Sequence, residues 1–178
     1  LVGAAMLALA LVLTAVLGGI NWMSYRKVVR DADDILTVLS ENDGKFPQRG
    51  ENEVPPPAGE GDPGHGMSPE TPFESRYFTV LLDADGAVLR TDTGRIAAVD
   101  AETAQADALA VWQSGGSGFR GDYRYAVSAQ DGKTLVMFLD CGRSLSAFRS
   151  TLFASAAVSV AGLAAVFLLL LLFSGRIV

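Results

Sequence analysis

The two ends of the chain constrain its folding most, because each is a long stretch without a charged residue. Residues 1–25 and 150–174 contain no Asp, Glu, Lys or Arg, and Leu, Val and Ala dominate both. About 20 apolar residues are needed for an α-helix to cross the ~30 Å hydrocarbon core of a bilayer. The sequence therefore predicts one transmembrane helix at residues 1–23 and a second at residues 150–174.

The first stretch has an alternative interpretation as a cleaved signal peptide. It is long for that purpose, it lacks a basic region at its start, and no small-residue cleavage site lies at its polar end. Because Leu1 is not an initiator Met, the basic region of a signal peptide could precede it. We favour an uncleaved membrane anchor.

Almost all of the charge lies between these stretches, in a region long enough for one small domain. Thirteen of the 14 basic residues and all 20 acidic residues fall within residues 26–149, a net charge of −7. This balance argues against nucleic acid as a partner, since phosphate binding needs a basic surface. One Cys and one His exclude an internal disulfide and a Cys/His zinc site. We expect no catalytic residues and no metal ligands.

Charge alone leaves the orientation of this domain in the membrane open. Basic residues near a membrane favour the cytoplasm, and on this rule the domain would be cytoplasmic. Long domains, however, are translocated largely regardless of charge. The residues concerned are Arg26, Lys27, Arg30, Arg143 and Arg149 on the domain side and Arg176 on the other.

Residues 24–42 predict a lead-in helix that continues the first span, because apolar residues recur at spacings of three and four. Asp43-Gly44 ends it. The stripe has two possible partners, the sheet of its own domain and the same helix of a second subunit, and both can hold. Its members are Tyr25, Val28, Val29, Ala32, Ile35, Leu36 and Leu39.

Residues 43–74 form a predicted solvated loop, because all seven prolines and many glycines fall there and apolar residues are sparse. His65, the only histidine, lies in this loop, and we interpret it as an exposed residue without a catalytic role.

Residues 75–142 predict a small α+β core. Tyr77–Leu82 and Ala87–Thr91 read as a β-hairpin around Asp83–Gly86. Asp100 is a candidate N-cap for a helix from Ala101 to about Gln113. The predicted buried face of that helix is Ala101, Ala104, Ala108, Val111 and Trp112.

Two further strands complete the predicted sheet. Gly115–Gly118 is interpreted as a turn, followed by a strand at Phe119–Ala129 with Tyr123 and Tyr125 on one face and Arg124 on the other. Lys133–Asp140 is a continuous apolar run, which predicts a central strand buried on both faces. An exit helix at residues 143–149 then leads into the second span. The predicted fold is a small antiparallel sheet of four strands with packed helices.

This plan resembles bacterial membrane receptors, above all sensor histidine kinases. The middle is similar to a PAS-like extracytoplasmic sensor domain of the PDC or single-Cache type. The resemblance rests on the lead-in helix, the hairpin "LLDADGAVLRTD" and the strand pair "YRYAVSAQDGKTLVMFLDC" that leads into the exit helix. The tail "FSGRIV" is similar to the junction with a cytoplasmic linker, which would begin at residues 175–178.

The resemblance implies a two-pass protein of the bacterial cell membrane, a homodimer, with residues 24–149 outside the cytoplasm. It implies that the phosphoacceptor His and an ATP- and Mg-dependent kinase region follow Val178 and act on a response regulator, so that the segment itself needs no cofactor. Alternatives are the input region of a chemotaxis transducer or cyclase, and a two-span envelope anchor without enzymatic activity. The signal is an unknown small molecule or protein.

In such a fold a ligand pocket is expected on a sheet face, where Arg and Tyr side chains could hold a carboxylate. The ligand candidates are Arg120, Tyr123, Arg124 and Tyr125, and the alternative is that the tyrosines are core and the arginines solvated. The residues expected to couple the domain to the spans are Val29, Ile35, Leu36, Leu39, Asp140 and Leu145. Cys141 is either a small buried apolar residue or an intersubunit disulfide partner.

Overall fold

A computed structural model describes residues 2–47, 68 and 70–174, and its fold is α+β as the sequence predicts. His65 and the predicted linker at 175–178 lie outside the described residues, as does most of the predicted loop. The elements in chain order are α1 (Val2–Glu41), α2 (Thr71–Glu74), β1 (Tyr77–Leu82), β2 (Val88–Asp92), α3 (Ala101–Val111), β3 (Gly116–Arg120), β4 (Tyr123–Gln130), β5 (Lys133–Asp140) and α4 (Gly142–Ser174).

The described residues divide into two compact units. One contains the apolar ends of the chain, up to Val29 and from Arg143 onward, and the other is Arg30–Gly142. The helical stretches Met6–Glu41 and Gly142–Leu172 are long and apolar enough to cross a membrane, and their most apolar windows are entirely unburied. This pattern is that of a two-pass membrane protein, and it agrees with the two spans expected from the sequence.

The polar unit is built on one antiparallel sheet with the strand order β2-β1-β5-β4-β3. β5 lies at the centre, and its residues 135–139 are all buried, which confirms the prediction of a central strand covered on both faces. The sheet has five strands rather than the four predicted. Gly116–Gly118, interpreted as a turn, belongs to edge strand β3, and the predicted strand at 119–129 is divided by a turn at Gly121–Asp122.

Side-chain acceptors and positive φ angles fix the turns of the sheet. The Asp83 carboxylate accepts hydrogen bonds from the backbone N–H groups of Asp85 and Ala87, and Gly86 has φ +85°, so the predicted β1–β2 hairpin is confirmed. Between β4 and β5, Asp131 and Gly132 have φ 51° and 71°. Two consecutive positive φ angles are the requirement of a two-residue type I′ hairpin turn.

One face of the sheet carries the apolar core. Phe78 of β1 and Phe138 of β5 are cross-strand partners whose rings stack with centroids 4.6 Å apart, and both are fully buried. Helix α3 covers this face, and its cap is the predicted one: the Asp100 carboxylate accepts the Thr103 N–H at 2.8 Å. Ala104, Ala108 and Val111 are buried, whereas Ala101 is exposed, so that part of the prediction was wrong.

The exposure of Ala101 has a simple cause. It has the same spacing as the buried positions, but it is the first residue of α3, and helix side chains lean toward the N-terminus, so its methyl group points past the end of the helix. Trp112, at the C-cap, packs against the edge of the core as predicted.

Candidate functional site

The end of α1 packs on the face of the sheet that α3 does not cover. Ala32, Leu36 and Leu39 are buried, and the half-buried Ile35 extends the same predicted stripe. These residues face a row of β1 and β5 side chains opposite to the Phe78 core, because strand side chains alternate between faces. The part of the stripe from Ala32 to Leu39 is therefore covered by the sheet of its own domain, one of the two partners expected from the sequence.

α1 ends where the sequence predicts, and the segment after it continues along the sheet. The Gly44 N–H donates to the Leu39 carbonyl at 2.7 Å, and Gly44 has φ +79°, a helix ending that glycine favours. A Cβ at Gly44 would lie 3.1 Å from the Thr79 side chain, which shows how closely the backbone approaches β1. Phe46 then packs edge-on against Tyr77 with ring centroids 5.5 Å apart.

A bidentate ion pair joins α1 to the sheet. Arg124 of β4 donates through Nε to Asp33 Oδ1 at 2.8 Å and through a terminal nitrogen to Oδ2 at 3.1 Å. The Arg124 side chain is 13% exposed and that of Asp33 is 40% exposed. The guanidinium also donates to Ser117 Oγ and lies over the Phe119 ring, 5.0 Å from its centroid. Four interactions thus fix one cation at the junction of helix and sheet.

Sequence reasoning missed Asp33, because a carboxylate on the polar side of a helix looks solvated. The available signal was its position at the border of the stripe, one residue after Ala32 and three before Leu36. Such a border carboxylate can reach a cation on the surface that the stripe covers. The partner itself, 91 residues away, is not readable from spacing.

The structure does not gather the four ligand candidates into one cluster. Tyr123 and Tyr125 lie on the α3-covered face, where Tyr123 packs against Phe78 and Tyr125 against Phe138. Arg124 lies on the opposite face with Asp33. Arg120 pairs with Asp107 of α3 at 2.6 Å. Burial raises the pKa of Tyr123, so its hydroxyl stays protonated.

The predicted coupling residues fall in both units. Ile35, Leu36 and Leu39 belong to the α1–sheet packing described above. Asp140 ends β5, forms an ion pair with Arg76, and accepts the Gly142 N–H that opens α4 at 2.8 Å. Val29 and Leu145 belong to the apolar unit, where Val29 is half-buried and Leu145 is 8% exposed.

Cys141 lies between β5 and α4 and is buried. Its backbone N–H donates to the Asp122 carbonyl at 2.9 Å, which anchors the short connection. Burial raises the pKa of its thiol, so the reactive thiolate is disfavoured at neutral pH. The environment of Cys141 is that of a small buried apolar residue.

Within the described ranges, no group of three or more His, Cys, Asp or Glu side chains is placed to hold a metal ion. Comparisons with protein-family models, with curated proteins and with solved structures each found no match.

Proposed function

We propose that this chain is the signal-sensing and transmembrane part of a bacterial receptor, with the domain at residues 24–149 outside the cytoplasm. In this proposal a signal changes the packing of the sheet on α1, and the change is carried along the helices to an output region beyond Val178. The favoured output is a sensor histidine kinase, which supplies its own ATP and Mg site and acts on a response regulator.

The observation that carries the proposal is that α1 combines two roles in one element. It is a 40-residue helix, about 60 Å long, roughly twice the thickness of a hydrocarbon core. Its first half is the apolar stretch, and its last turns hold Asp33, Leu36 and Leu39 on the sheet. Helices bend sharply at Pro, at Gly or where an inserted group breaks their hydrogen bonds, and residues 20–41, which join the apolar half of α1 to the sheet, contain neither Pro nor Gly.

The other end of the domain supports the same reading. α4 begins at Gly142, two residues after the central strand ends, and it too continues through a membrane-length apolar stretch. Packed elements have discrete arrangements, so small shifts of ~1–2 Å can be transmitted through them. A ligand moves such an equilibrium only through its different affinity for the two arrangements.

The architecture also supports a PAS-like sensor fold. A five-stranded antiparallel sheet, a helix crossing one face between β2 and β3, and a long lead-in helix on the other agree with the plan that the sequence resembles. The alternatives are a chemotaxis transducer or a cyclase with the same input region, and a two-span envelope anchor without enzymatic activity.

The kinase proposal is tested on the full protein as its gene encodes it, reconstituted in lipid nanodiscs and incubated with labelled ATP and Mg. We expect an acid-labile phosphohistidine. Absence of phosphorylation by an intact, folded protein overturns the kinase assignment, and production of a cyclic nucleotide or absence of any enzyme activity identifies one of the alternatives.

Coupling is tested separately by breaking the helices. Two glycines are inserted after Val29 or after Leu145, and the control carries the same insertion between the exposed residues Ala84 and Asp85 of a hairpin turn. An Arg124→Met substitution serves as a perturbation of the domain. This substitution should change the output several-fold in the protein without an insertion and in the control. It should leave the output unchanged in the two proteins that carry glycines after Val29 or after Leu145. An equal response in the broken proteins refutes coupling through the helices.

A further inference from the structure

A cleft of about 310 Å³ opens on the α1-facing side of the sheet. None of the ligand candidates suggested by the sequence lines it. Its lining residues come from the end of α1 and the turn after it, from four sheet strands and from the β4–β5 turn: Ser40, Asp43, Leu81, Arg90, Ser128, Gln130, Asp131, Lys133 and Leu135. The volume is within the range of small-molecule sites in proteins.

The cleft exists because the sheet extends beyond the end of the helix. Arg90, Leu81, Leu135 and Ser128 are successive register partners across β2, β1, β5 and β4, so they form one row on one face. α1 ends at Glu41, at the level of this row, while β4 and β5 continue to the pair formed by Gln130 and Lys133. This row forms the floor of the cleft, with Leu81 and Leu135 at its centre.

The walls carry two cations and two carboxylates that do not neutralise one another. Among the described residues no ion pair joins Arg90 or Lys133 to Asp43 or Asp131. Arg90 instead donates to the backbone carbonyl of Asp43 at 2.9 Å, which is a neutral acceptor. The Ser128 hydroxyl adds a donor and an acceptor beside these charges, and the Ser40 hydroxyl, which donates to the Thr37 carbonyl, adds an acceptor.

We propose that this cleft binds a small zwitterion, a molecule with a carboxylate and an ammonium group a few bonds apart. Arg90 and Lys133 take the carboxylate, because charge-assisted hydrogen bonds to guanidinium and ammonium groups are the strong ones. Asp43 and Asp131 take the ammonium group, and the leucines of the floor contact the carbon chain. A purely anionic or purely cationic ligand would meet one pair of like charges, which disfavours both.

Binding is measured by isothermal titration calorimetry on the full chain in lipid nanodiscs. The probes are glycine, β-alanine and 4-aminobutyrate, which differ in charge separation, each with its matched anion (acetate, propionate, butyrate) and cation (methylamine, ethylamine, propylamine). We expect at least one zwitterion to bind at least tenfold more tightly than both of its matched ions. Binding of the anion alone as tightly as the zwitterion, or no binding by any zwitterion, overturns the proposal.

Two substitutions in the β4–β5 turn locate the site. Lys133→Gln removes a cation, and Asp131→Asn removes a carboxylate while keeping a residue type that tolerates the positive φ of this turn. Each should weaken binding about tenfold. Lys45→Gln, an exposed lysine outside the cleft, is the control for net charge and should leave the affinity within twofold. Equal losses in all three variants overturn the assignment to this cleft.

This inference does not rest on the proposed signalling role. Calorimetry detects binding whether or not an output follows, so a failure of the phosphorylation experiment leaves it standing. Conversely, a receptor that senses a protein or the membrane itself would give phosphorylation and no heat of zwitterion binding.

Discussion

The two faces of the sheet are covered in different ways. On one face, α3 and the loop before it close an apolar core around the stacked pair of Phe78 and Phe138. On the other, the end of α1 lies over a mixed surface that contains the Arg124–Asp33 ion pair and an open charged cleft. The first face is apolar and closed, and the second is partly polar and partly uncovered.

The two faces are expected to differ in how much they stabilise the domain and in how easily their packing can change. Close-packed apolar cores respond strongly to the loss of even a few atoms. A partly exposed ion pair contributes less, because solvent screens it and its partners can find water. We therefore expect the α3 face to hold the domain together and the α1 face to be the one whose packing can change at low cost.

The largest effect on stability is expected from a substitution in the core on the α3-covered face. Phe138→Ala removes one ring of the stacked pair from the centre of the sheet, and we expect a loss of about 3–5 kcal/mol in the free energy of unfolding. Denaturant unfolding followed by the fluorescence of Trp112, which packs at this core, measures it. The matched control, Leu109→Ala on the exposed side of α3, should stay within about 0.5 kcal/mol. Similar losses for both would contradict the assigned core.

A second substitution tests the apolar part of the α1 face. Leu36 is 1% exposed, so Leu36→Ala should cost about 3 kcal/mol if α1 packs on the sheet as described. Thr37→Ala, one residue further on the exposed side of the helix, is the control and should change stability little. If Leu36→Ala matches its control in denaturant unfolding, α1 does not pack on this face in solution.

A third experiment measures the ion pair by a double-mutant cycle of Arg124→Met and Asp33→Asn. Because Asp33 is 40% exposed, we expect a coupling energy of only about 0.5–1.5 kcal/mol, and a smaller one in 1 M salt. A coupling indistinguishable from zero at low salt would mean that the two side chains do not interact. A coupling above about 3 kcal/mol would mean that the α1 face is as rigid as the core.

The smallest expected effect is a pH dependence at the start of α3. The hydrogen bond from the Thr103 N–H lowers the pKa of Asp100 below its ordinary value of 3.8. Because the folded pKa is lower than the unfolded one, the cap is stabilising above pH 4 and its contribution disappears as the pH falls through the folded pKa. Asp100→Asn keeps a capping residue without titrating. The difference in unfolding free energy between the two proteins should stay constant from pH 6 down to about pH 4 and change only at lower pH, as measured by unfolding at pH 2–6. A change of this difference near pH 6 would contradict this cause.

Much of this fold is readable from the sequence because the patterns involved are local. Three patterns each depend on the environment of a single element: the charge-free ends, the three- and four-residue spacing before Asp43 and the apolar run of β5. The alternation in β4 also placed Tyr123 and Tyr125 on the face opposite to Arg124, as the structure has them.

The parts that could not be predicted depend on contacts distant in sequence. β3 reads as a turn because it is rich in glycine, yet an edge strand needs only backbone hydrogen bonds to its neighbour. At Gly118 a Cβ would lie 2.7 Å from the Tyr125 hydroxyl oxygen, so the glycine makes room for that ring. The Arg124–Asp33 pair and the cleft beyond Glu41 likewise follow from where a distant helix ends on the sheet.

The central claim is that α1 is one uninterrupted helix from the apolar stretch to the sheet. Amide hydrogen exchange on the full chain in lipid nanodiscs tests it directly across residues 20–41. The account predicts continuous protection through residues 24–30, comparable with that around Leu36. A fast-exchanging break in those residues, between two protected segments, would contradict it.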